Sequence, residues 1–418
     1  MTDERQVFII GAGMAGLSAA LQLTLMGEKV TVYEAAPYAG GRCRSYFDRE
    51  LDCRIDNGNH LVLSGNVAIQ DYLFLTEANG TMAGPKAPTF PFMDLETGER
   101  WTLNMNSGRL PWWIFDPKRR VPGTKATDYF SSLRFLTAGA DSTVISRLKP
   151  DKTIYRRLWE PLSVAILNTE PENASARMFT NVLVQTIGAE GKACIPMFPK
   201  IGMTESYVTP CLNKLREHGT EVIFGHRLRR LVTDSDVVKG LDFGNQLLPI
   251  RPQDWVILAV PPWVAKDLMP DLTTPNEFRS IVNVHYRVEV PSNPAGFIGA
   301  IGGLAEWVFV KPGIVSVTIS AAERYEEQEQ ETWALYVWRN LAKIYDLDPA
   351  RIPPWRVVHE KRATIAATPY QNTLRPRAYI DWKNLALAGD WTNTGLPSTI
   401  ESAIRSGVKA AQVVLRWV

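Results

Sequence analysis

The feature that most constrains the fold is an ordered series of strand, helix and strand signals within residues 6–34. Val7–Ile10 is a short, wholly apolar run, which is typical of a buried parallel strand. Apolar residues at helical spacing predict a helix over residues 14–26, and Lys29–Tyr33 is predicted to be the second strand. This order predicts an α/β fold built on a parallel sheet.

A glycine-rich turn joins the first strand to the helix. Gly11, Gly13 and Gly16 form the spacing G-x-G-x-x-G. The first glycine allows a tight turn, the second lets the backbone approach a pyrophosphate, and the third lets the helix pack close to the strand. Met14 and Ala15 open the helix, whose free N–H groups and dipole attract phosphate. In this context the spacing predicts a dinucleotide site.

Two further features indicate which dinucleotide is bound. Glu34 ends the second strand, where a carboxylate can accept a hydrogen bond from a ribose 2′-hydroxyl and disfavours a 2′-phosphate. Gly40, Gly41 and Arg42 follow, and this extension resembles the superfamily of flavin amine oxidases and phytoene desaturases. The resemblance implies that Gly41 and Arg42 lie beside the FAD pyrophosphate. A guanidinium suits that position because it can bind phosphate bidentately.

A second motif lies near the C-terminus, in residues 384–415. Asp390 follows an apolar strand predicted over Leu385–Ala388, where its carboxylate can bond the hydroxyls of a ribityl chain. Ser398 and Glu401 have the spacing of a capping box at the start of a helix. The superfamily resemblance places this helix start, with Ile400, under the flavin N1–C2=O edge, where its dipole stabilises negative charge. The region has no cysteine, so we expect FAD to bind non-covalently.

Two central segments extend the predicted FAD domain. Residues 219–232 are predicted to form one strand that brings Leu228 near the adenine. Residues 254–269 contain a buried strand that ends in a double proline beginning at Pro261. Both patterns occur in the same superfamily.

We therefore predict a Rossmann-like FAD-binding domain of the glutathione-reductase type with an inserted α+β substrate-binding lobe, as in amine oxidases. The FAD domain is predicted to be discontinuous and to comprise residues 1–60, 190–275 and 363–418. The lobe is predicted to comprise residues 61–189 and 276–362.

Three segments of the lobe have a clear periodicity. Residues 280–290 and 305–320 alternate as half-buried strands do. Residues 328–347 are predicted to form an amphipathic helix.

Several longer passages carry a more specific resemblance. The whole chain resembles the hydroxysqualene dehydroxylases, also described as squalene-associated FAD-dependent desaturases, of bacterial hopanoid pathways. The passages are DNGNHLVLSG (56–65), FPFMDLETGERW (90–101), GRLPWWIFDPKRRVPGT (108–124), LWEPLSVAILNTEPENASA (158–176), SIVNVHYR (280–287), AEWVFV (305–310) and LAGDWTNTGLPSTIESAIRSG (387–407).

This resemblance implies a reductive dehydroxylation in which 12-hydroxysqualene and reduced FAD give squalene, FAD and water. Loss of an allylic hydroxyl leaves a delocalised cation, so a proton donor must act on the leaving oxygen. Hydride from flavin N5 then reduces the cation, and the protein must keep bulk water away from it. The substrate would be a C30 isoprenoid.

The polar run that ends at His60 is the first source of catalytic candidates. The superfamily places residues after the first βαβ unit against the isoalloxazine, so Gly58, Asn59 and His60 are expected at the flavin. His60 can supply a proton near neutral pH, or it can pack on the ring and bond the flavin. Asn57 and Asn59 can equally stabilise a turn.

Three more polar residues are candidates for contact with the hydroxyl. Asn168 lies in AILNTEP, and Asn283 and His285 are two apart on a predicted strand, so the latter two share a face. Each of the three can instead be a buried polar group satisfied by the protein itself.

The segment 108–123 concentrates aromatic and basic residues. Trp112 and Trp113 suit a lipid headgroup boundary, and Lys118, Arg119 and Arg120 suit an anionic lipid surface. The alternative is that the aromatics pack in the substrate lobe and the basic residues are solvated. Prolines on both sides favour a loop or short hairpin over a long helix.

Composition limits the partners and the compartment. The net charge of +2 gives no reason to expect nucleic acid, and no apolar run is long enough to span a membrane. Four cysteines without CxxC spacing, and an N-terminus without a secretory signal pattern, predict a cytoplasmic protein without a metal site. With a lipid substrate, we expect a peripheral position on the inner face of the membrane and a possible association with upstream squalene-forming enzymes.

Three other functions are compatible with parts of the pattern. A carotenoid-type desaturase would run the flavin oxidatively on a similar hydrocarbon, and a flavin amine oxidase would share the fold. A prenyl-chain carrier of the Rab GDP-dissociation-inhibitor kind would bind lipid without flavin, but the intact glycines, Glu34, Arg42 and Asp390 disfavour it.

Overall fold

The computed structural model describes residues 4–291, 293–326 and 328–416. Its α-helices are α1 (Met14–Leu25), α2 (Val67–Leu75), α3 (Ala126–Tyr129), α4 (Glu160–Leu167), α5 (Ala176–Gln185), α6 (Thr209–Glu217), α7 (Pro262–Leu268), α8 (Gln330–Tyr345), α9 (Pro369–Thr373) and α10 (Ile400–Arg416). Its strands are β1 (Gln6–Ile10), β2 (Lys29–Tyr33), β3 (Ser45–Asp48), β4 (Cys53–Asp56), β5 (Val62–Leu63), β6 (Met82–Ala83), β7 (Thr89–Asp94), β8 (Arg100–Asn104), β9 (Pro196–Pro199), β10 (Glu221–Ile223), β11 (Arg230–Asp234), β12 (Val237–Asp242), β13 (Leu247–Pro249), β14 (Trp255–Leu258), β15 (Phe278–Tyr286), β16 (Phe297–Ile301), β17 (Trp307–Lys311), β18 (Ile314–Ser320), β19 (Trp355–Ile365) and β20 (Leu385–Leu387).

A five-stranded parallel sheet in the order β10-β2-β1-β14-β20 forms the nucleotide-binding part of the fold. The strands predicted over residues 7–10, 29–33 and 385–388 and the helix predicted over residues 14–26 are confirmed to within one residue at each end. Helix α10 packs directly on α1, and a Cβ on Gly407 would lie 2.2 Å from the carbonyl oxygen of Ala15. The α/β fold class with a parallel sheet is therefore confirmed. All five strands fall within the three segments assigned to the predicted FAD domain.

The prediction of one strand over residues 219–232 is wrong. The chain turns at Gly225, where φ is +73°, and the segment contributes to two sheets. Its first part is β10 at the edge of the parallel sheet, and its second part is β11 in an antiparallel sheet with β12 and β13. Both parts have strand-like composition, so only the glycine marks the break.

The second large sheet has seven strands in the order β19-β15-β18-β17-β16-β7-β8. The strands predicted to be half-buried are mostly buried: every residue of β18, six of the nine in β15 and three of the five in β17. One face packs on α8, through Trp333, Val337 and Leu341 among others, so the predicted amphipathic helix is confirmed. The other face contacts a second apolar cluster and a large cavity. Because both faces of the sheet are covered, its central strands are buried.

Candidate active site

A cavity of about 1010 Å³ lies between the two sheets. One end is lined by loops that follow β1, β2, β14 and β20, so it lies at the carboxyl edge of the parallel sheet. Ligands of open α/β sheets bind at this edge. The other end is lined mainly by apolar side chains of the lobe: Phe90, Phe92, Leu103, Met105, Trp113, Ile114, Leu158, Trp159, Leu162, Ile166, Leu183, Trp307 and Phe309.

The three glycines of the first loop have different surroundings. A Cβ on Gly11, whose φ is +109°, would lie 2.4 Å from the Ala259 carbonyl oxygen, and one on Gly16 would lie 1.9 Å from the Gly11 carbonyl oxygen. These two glycines therefore permit close packing, and Gly16 does not line the cavity. Gly13 does line it, and no other described part of the chain comes within 4 Å of a Cβ built there. Gly13 provides the open backbone surface that a pyrophosphate needs.

Glu34 is held at the cavity wall by the backbone. Its carboxylate accepts hydrogen bonds from the N–H groups of Ala12 at 2.7 Å and Ala36 at 2.8 Å. These bonds fix the orientation of the carboxylate and leave lone pairs on both oxygens. The side chain is therefore positioned to accept hydrogen bonds from ribose hydroxyls.

Arg42 and Asp390 form an ion pair at the wall of the cavity. Their nearest nitrogen and oxygen atoms are 2.6 Å apart, and Arg42 also donates to the Ala363 carbonyl oxygen at 2.5 Å. The sequence assigned these residues to different parts of FAD, and the structure brings their side chains together at one wall. A pyrophosphate and a ribityl chain would be bound where this pair lies.

Arg375 supports the Asp390 loop, and no sequence pattern predicted this role. This buried guanidinium donates to the carbonyl oxygens of Leu396 at 2.5 Å and Asp390 at 2.8 Å. Burial lowers the pKa of Arg375 to about 10, with Asp390 opposing the shift, so the side chain remains charged at neutral pH. Its contacts are to main-chain atoms that only the fold brings together.

Helix α10 begins at the cavity, but the predicted capping box is wrong. The Ser402 N–H donates to Thr399 Oγ1 at 3.1 Å, so Thr399 caps the helix. Glu401 instead accepts from the N–H groups of Ala68 and Ile69 at the start of α2. Ser398 lines the cavity, and its buried hydroxyl has no hydrogen-bond partner in the described structure.

These features match the chemistry of FAD. The open Gly13 backbone and Arg42 suit the pyrophosphate, Glu34 suits the adenine ribose, and the start of α10 suits the flavin edge. The unpartnered Ser398 hydroxyl is consistent with a polar ligand, because buried hydroxyls are rarely left unpaired. The other predicted cofactor residues also line the cavity: Met14, Ala15, Gly41, Gly58, Asn59, His60, Leu228, Pro261 and Ile400.

The polar run before β5 meets the second sheet at the boundary between the two ends of the cavity. Asn59 donates from Nδ2 to Thr318 Oγ1 at 3.3 Å, and its N–H donates to Asn283 Oδ1 at 3.4 Å. The Thr318 hydroxyl donates to the same Asn283 oxygen at 2.8 Å. Asn59, Asn283 and Thr318 thus form a polar patch on a largely apolar wall.

His60 lies beside this patch, and its environment bears on its predicted role. Burial lowers the pKa of His60 to about 4, with a smaller opposing effect from Asp56 and a further lowering effect from Arg42. The imidazole is therefore neutral at pH 7. This environment favours a role for His60 in hydrogen bonding or packing at the cofactor, and its role as a proton donor stays a prediction for the pH dependence of the reaction to test.

Asn168 does not line the cavity, which contradicts its predicted contact with the hydroxyl. It ends α4 in the left-handed conformation, with φ +47°. Its amide donates to Thr364 Oγ1 at 2.9 Å and accepts from the Ala321 N–H at 2.6 Å. Both ends of the side chain thus connect neighbouring segments.

His285 is likewise separated from the cavity. It lies on the same face of β15 as Asn283, as the spacing predicted, but it is fully buried and does not line the cavity. Its Nδ1 bonds Ser316 Oγ at 2.7 Å, and burial lowers its pKa to about 4 despite the nearby Asp56. Of the two strand residues, only Asn283 reaches the site.

The tryptophan pair is divided between the cavity and the surface. Trp113 is 5% exposed and lines the cavity, whereas Trp112 is 64% exposed. Both belong to a single 3₁₀ turn, Trp112–Phe115, in place of the predicted loop or hairpin. Packing in the lobe is therefore confirmed for Trp113, and membrane contact by the exposed part of the segment stays a prediction.

Comparison with known proteins identifies the family. The sequence model described as "Flavin containing amine oxidoreductase" matches residues 14–415. A hydroxysqualene dehydroxylase of Sinorhizobium fredii is 44% identical over 98% of both chains. One of Rhodopseudomonas palustris is 43% identical, also over 98% of both. The chain belongs to the hydroxysqualene dehydroxylase family of flavin-containing oxidoreductases.

Similarity to a solved structure supports the same fold. An oxidoreductase from Methanosarcina mazei superposes with a TM-score of 0.73 at 13% identity, covering 97% of this chain and 100% of that one. The family and the geometry together make this protein an FAD-dependent oxidoreductase, and the sheet edge of the cavity carries the residues that would hold FAD. In the part of the chain that the structure describes, no group of three or more histidine, cysteine or acidic side chains could hold a metal ion.

Proposed function

We propose that this dehydroxylase-family protein reduces hydroxysqualene to squalene, with release of water. The observation that carries the proposal is near full-length similarity to hydroxysqualene dehydroxylases, combined with an apolar chamber continuous with the FAD site. Bound FAD in its reduced form supplies the two electrons of the reduction. The balance is one hydroxysqualene and one reduced FAD consumed for each squalene, FAD and water formed.

The residues of the chain position the substrate and exclude water from it. The aromatic and aliphatic wall of the lobe suits a long hydrocarbon, and it excludes bulk water from a cationic reacting carbon. The patch of Asn59, Asn283 and Thr318 offers hydrogen bonds where the chamber meets the FAD end. The patch contains no ionisable side chain, so it can orient a hydroxyl but is not itself an acid.

An anaerobic single turnover tests this function. The bound flavin is reduced, 12-hydroxysqualene is added, and flavin absorbance is followed at roughly 450 nm while the lipid is analysed. Flavin reoxidation matched by squalene formation is expected. Persistent reduced flavin with unchanged lipid would refute the proposal and favour oxidative desaturation of another isoprenoid, which the oxidised enzyme can be tested for directly.

We also propose that the cavity mouth rests on the cytoplasmic face of a membrane. Pro111, Trp113, Ile114, Phe130 and Leu133 line the cavity in this region. Its outer surface carries six large apolar side chains that are at least 50% exposed: Leu110, Trp112, Phe115, Phe130, Leu133 and Leu136. Contiguous exposed apolar surface of this kind is typical of membrane contact sites. Within the described residues, no helix is long and apolar enough to cross a bilayer.

The basic residues of this segment, like its tryptophans, differ in their exposure and contacts. Lys118 is exposed and free to approach anionic headgroups. Arg119 donates to the Asn104 carbonyl oxygen at 3.0 Å, and Arg120 to that of Ile114 at 2.9 Å, so both also hold the turn. Reversing all three charges would disturb the fold of the segment, and the aromatic residues offer a cleaner test.

Liposome binding measures this contact. Replacing Trp112 and Phe115 by serine is expected to reduce sedimentation with anionic vesicles, because it removes the most exposed rings of the turn. Phe74→Ser is the matched control, since Phe74 is 70% exposed on α2, outside this surface. Equal binding by both variants and the wild type would exclude the surface as a membrane contact.

A further inference from the structure

Trp307 lies beside the polar patch at the boundary of the apolar chamber. In the register of the second sheet, Asn283 on β15 lies opposite Thr318 on β18, and Thr318 lies opposite Trp307 on β17. Residues directly opposite each other in antiparallel strands point to the same face, with their Cβ atoms about 5 Å apart. All three side chains line the cavity. The Trp307 indole is therefore the next side chain in the row that contains the patch.

Aromatic packing fixes the position of this indole. The residue opposite Trp307 on β16 is Gly299, which has no side chain, and the ring of Phe92 occupies the space. A Cβ on Gly299 would lie 2.6 Å from Phe92 Cε1. The centroid of Phe92 lies 5.8 Å from that of Trp307, in an edge-on arrangement, and the centroid of Phe297 lies at 6.2 Å. Both phenylalanines belong to strands on the side away from β18, so they hold the indole next to Thr318.

The indole N–H of Trp307 is a free donor at the cavity wall. Among the described residues, no acceptor bonds its Nε1, and this nitrogen is not one of the fully enclosed side-chain atoms that lack a partner. The side chain as a whole is 9% exposed and lines the cavity. Trp159 lines the same cavity, but its indole nitrogen is both unpartnered and fully enclosed. A ligand in the chamber can therefore reach the donor of Trp307 but not that of Trp159.

The apolar surroundings make such a donor selective. A hydrocarbon that enters the chamber removes water from an accessible N–H and offers no hydrogen bond in return. An unpaired buried donor is unfavourable, so a ligand with an acceptor at this point is favoured over one without. A long hydrocarbon that carries one hydroxyl offers one such acceptor.

We propose that the Trp307 indole N–H donates a hydrogen bond to the hydroxyl oxygen of the substrate and thereby distinguishes substrate from product. The inference rests on the proposed dehydroxylation. The neighbouring Thr318 hydroxyl donates to Asn283 and accepts from Asn59, and its oxygen has a further lone pair that can accept the proton of the same substrate hydroxyl. Squalene has no hydroxyl and leaves both groups unpaired. Trp307 is therefore a specificity-determining residue at the boundary between the chamber and the FAD end.

The test compares Trp307→Phe with the wild type and with Trp159→Phe. Both replacements remove an indole from the cavity wall, but only the first removes a donor that a ligand can reach. Dissociation constants of 12-hydroxysqualene and squalene are measured with the oxidised, FAD-loaded enzyme, which has no electrons for the reduction. The readout is the ratio of the two constants, because a change in the shape of the wall affects both ligands alike.

A second replacement separates the donor from the size of the ring. Trp307→benzothienylalanine keeps a bicyclic ring of nearly the same shape but has sulfur in place of the N–H. Thermal unfolding of each variant checks that it is folded, and this replacement serves as the test if Trp307→Phe is not.

We expect the wild type to prefer hydroxysqualene to squalene. Both Trp307 replacements should reduce this preference by about 3- to 10-fold, which corresponds to the loss of one hydrogen bond, and Trp159→Phe should retain it. An unchanged preference in the folded Trp307 variants, or an equal reduction in Trp159→Phe, would overturn the inference. A wild-type enzyme that binds hydroxysqualene but fails the single-turnover assay would instead refute the proposed function.

Discussion

The role of His60 can be decided by the pH dependence of the reaction. Burial and the Arg42 charge lower the pKa of His60 to about 4, although Asp56 partly opposes the shift. At pH 7 the ring is then about three pH units above its pKa, and only about one molecule in 10³ carries the imidazolium. Each unit corresponds to 1.36 kcal/mol, so a mechanism that needs this imidazolium incurs a penalty of about 4 kcal/mol.

Such a mechanism would leave a clear kinetic signature. The single-turnover rate would fall about tenfold per pH unit above the pKa of the acid. We expect no such decrease assignable to His60 between about pH 5.5 and about pH 8, because the ring is neutral there and does not act as the acid. His60→Gln, which keeps a hydrogen-bonding side chain, should retain the rate to within about tenfold, as a loss of positioning rather than of an acid.

The assay is anaerobic flavin reoxidation by 12-hydroxysqualene, with His218→Gln as control, since His218 is an exposed residue that bonds the Lys214 carbonyl oxygen. A tenfold decrease in the single-turnover rate per pH unit that the wild type shows and His60→Gln lacks would refute the reasoning. It would show that the imidazolium is the proton donor, and the pH below which the rate levels off would give the pKa of the ring with cofactor and substrate bound.

Two further predictions concern stability. Asn168→Ala removes two hydrogen bonds and leaves a strained left-handed residue, so we expect the free energy of unfolding in denaturant to fall by about 2–4 kcal/mol. The single-turnover rate should change little. A large loss of rate in a fully folded variant would contradict the structural role of Asn168. His285 has its pKa lowered to about 4, so the unfolded chain, with an ordinary pKa near 6.5, binds the proton first as the pH falls. The free energy of unfolding should therefore decrease by about 2 kcal/mol between about pH 7 and about pH 5, and His285→Asn should show a smaller decrease. Equal slopes for the variant and the wild type would exclude His285 as the source.

Short sequence patterns correctly predicted the elements whose conformation depends mainly on neighbouring residues. The strands β14 and β20 are fully apolar runs, β1 is apolar after Gln6, and three of the five residues of β2 are apolar. The G-x-G-x-x-G turn constrains its own geometry, so the positions of these elements followed from short windows of sequence. The clustering of glycines, Glu34, Arg42 and Asp390 around one cavity followed because parallel strands share one carboxyl edge.

The errors occurred where a side chain is used by a distant segment. Glu401 has the spacing of a capping residue, but it binds the start of α2, more than 300 positions away in the sequence. Asn168 resembles a site residue, but its partners are Thr364 and Ala321. No local window contains these partners. The same limit applies to Arg375, which only the folded chain places against the Asp390 loop.

The geometry of the cavity separates substrate delivery from chemistry. Trp112 and Phe115 face outward at the mouth, whereas Trp113 and Trp159 belong to the buried chamber. A membrane contact would therefore affect how a lipid reaches the chamber but not how it reacts once inside. It follows that serine at positions 112 and 115 should slow turnover of vesicle-embedded substrate while leaving turnover of detergent-dispersed substrate unchanged. Because the detergent bypasses the bilayer, equal losses in both media would mean that the exposed rings act on the chamber itself, and the separation of the two ends would be wrong.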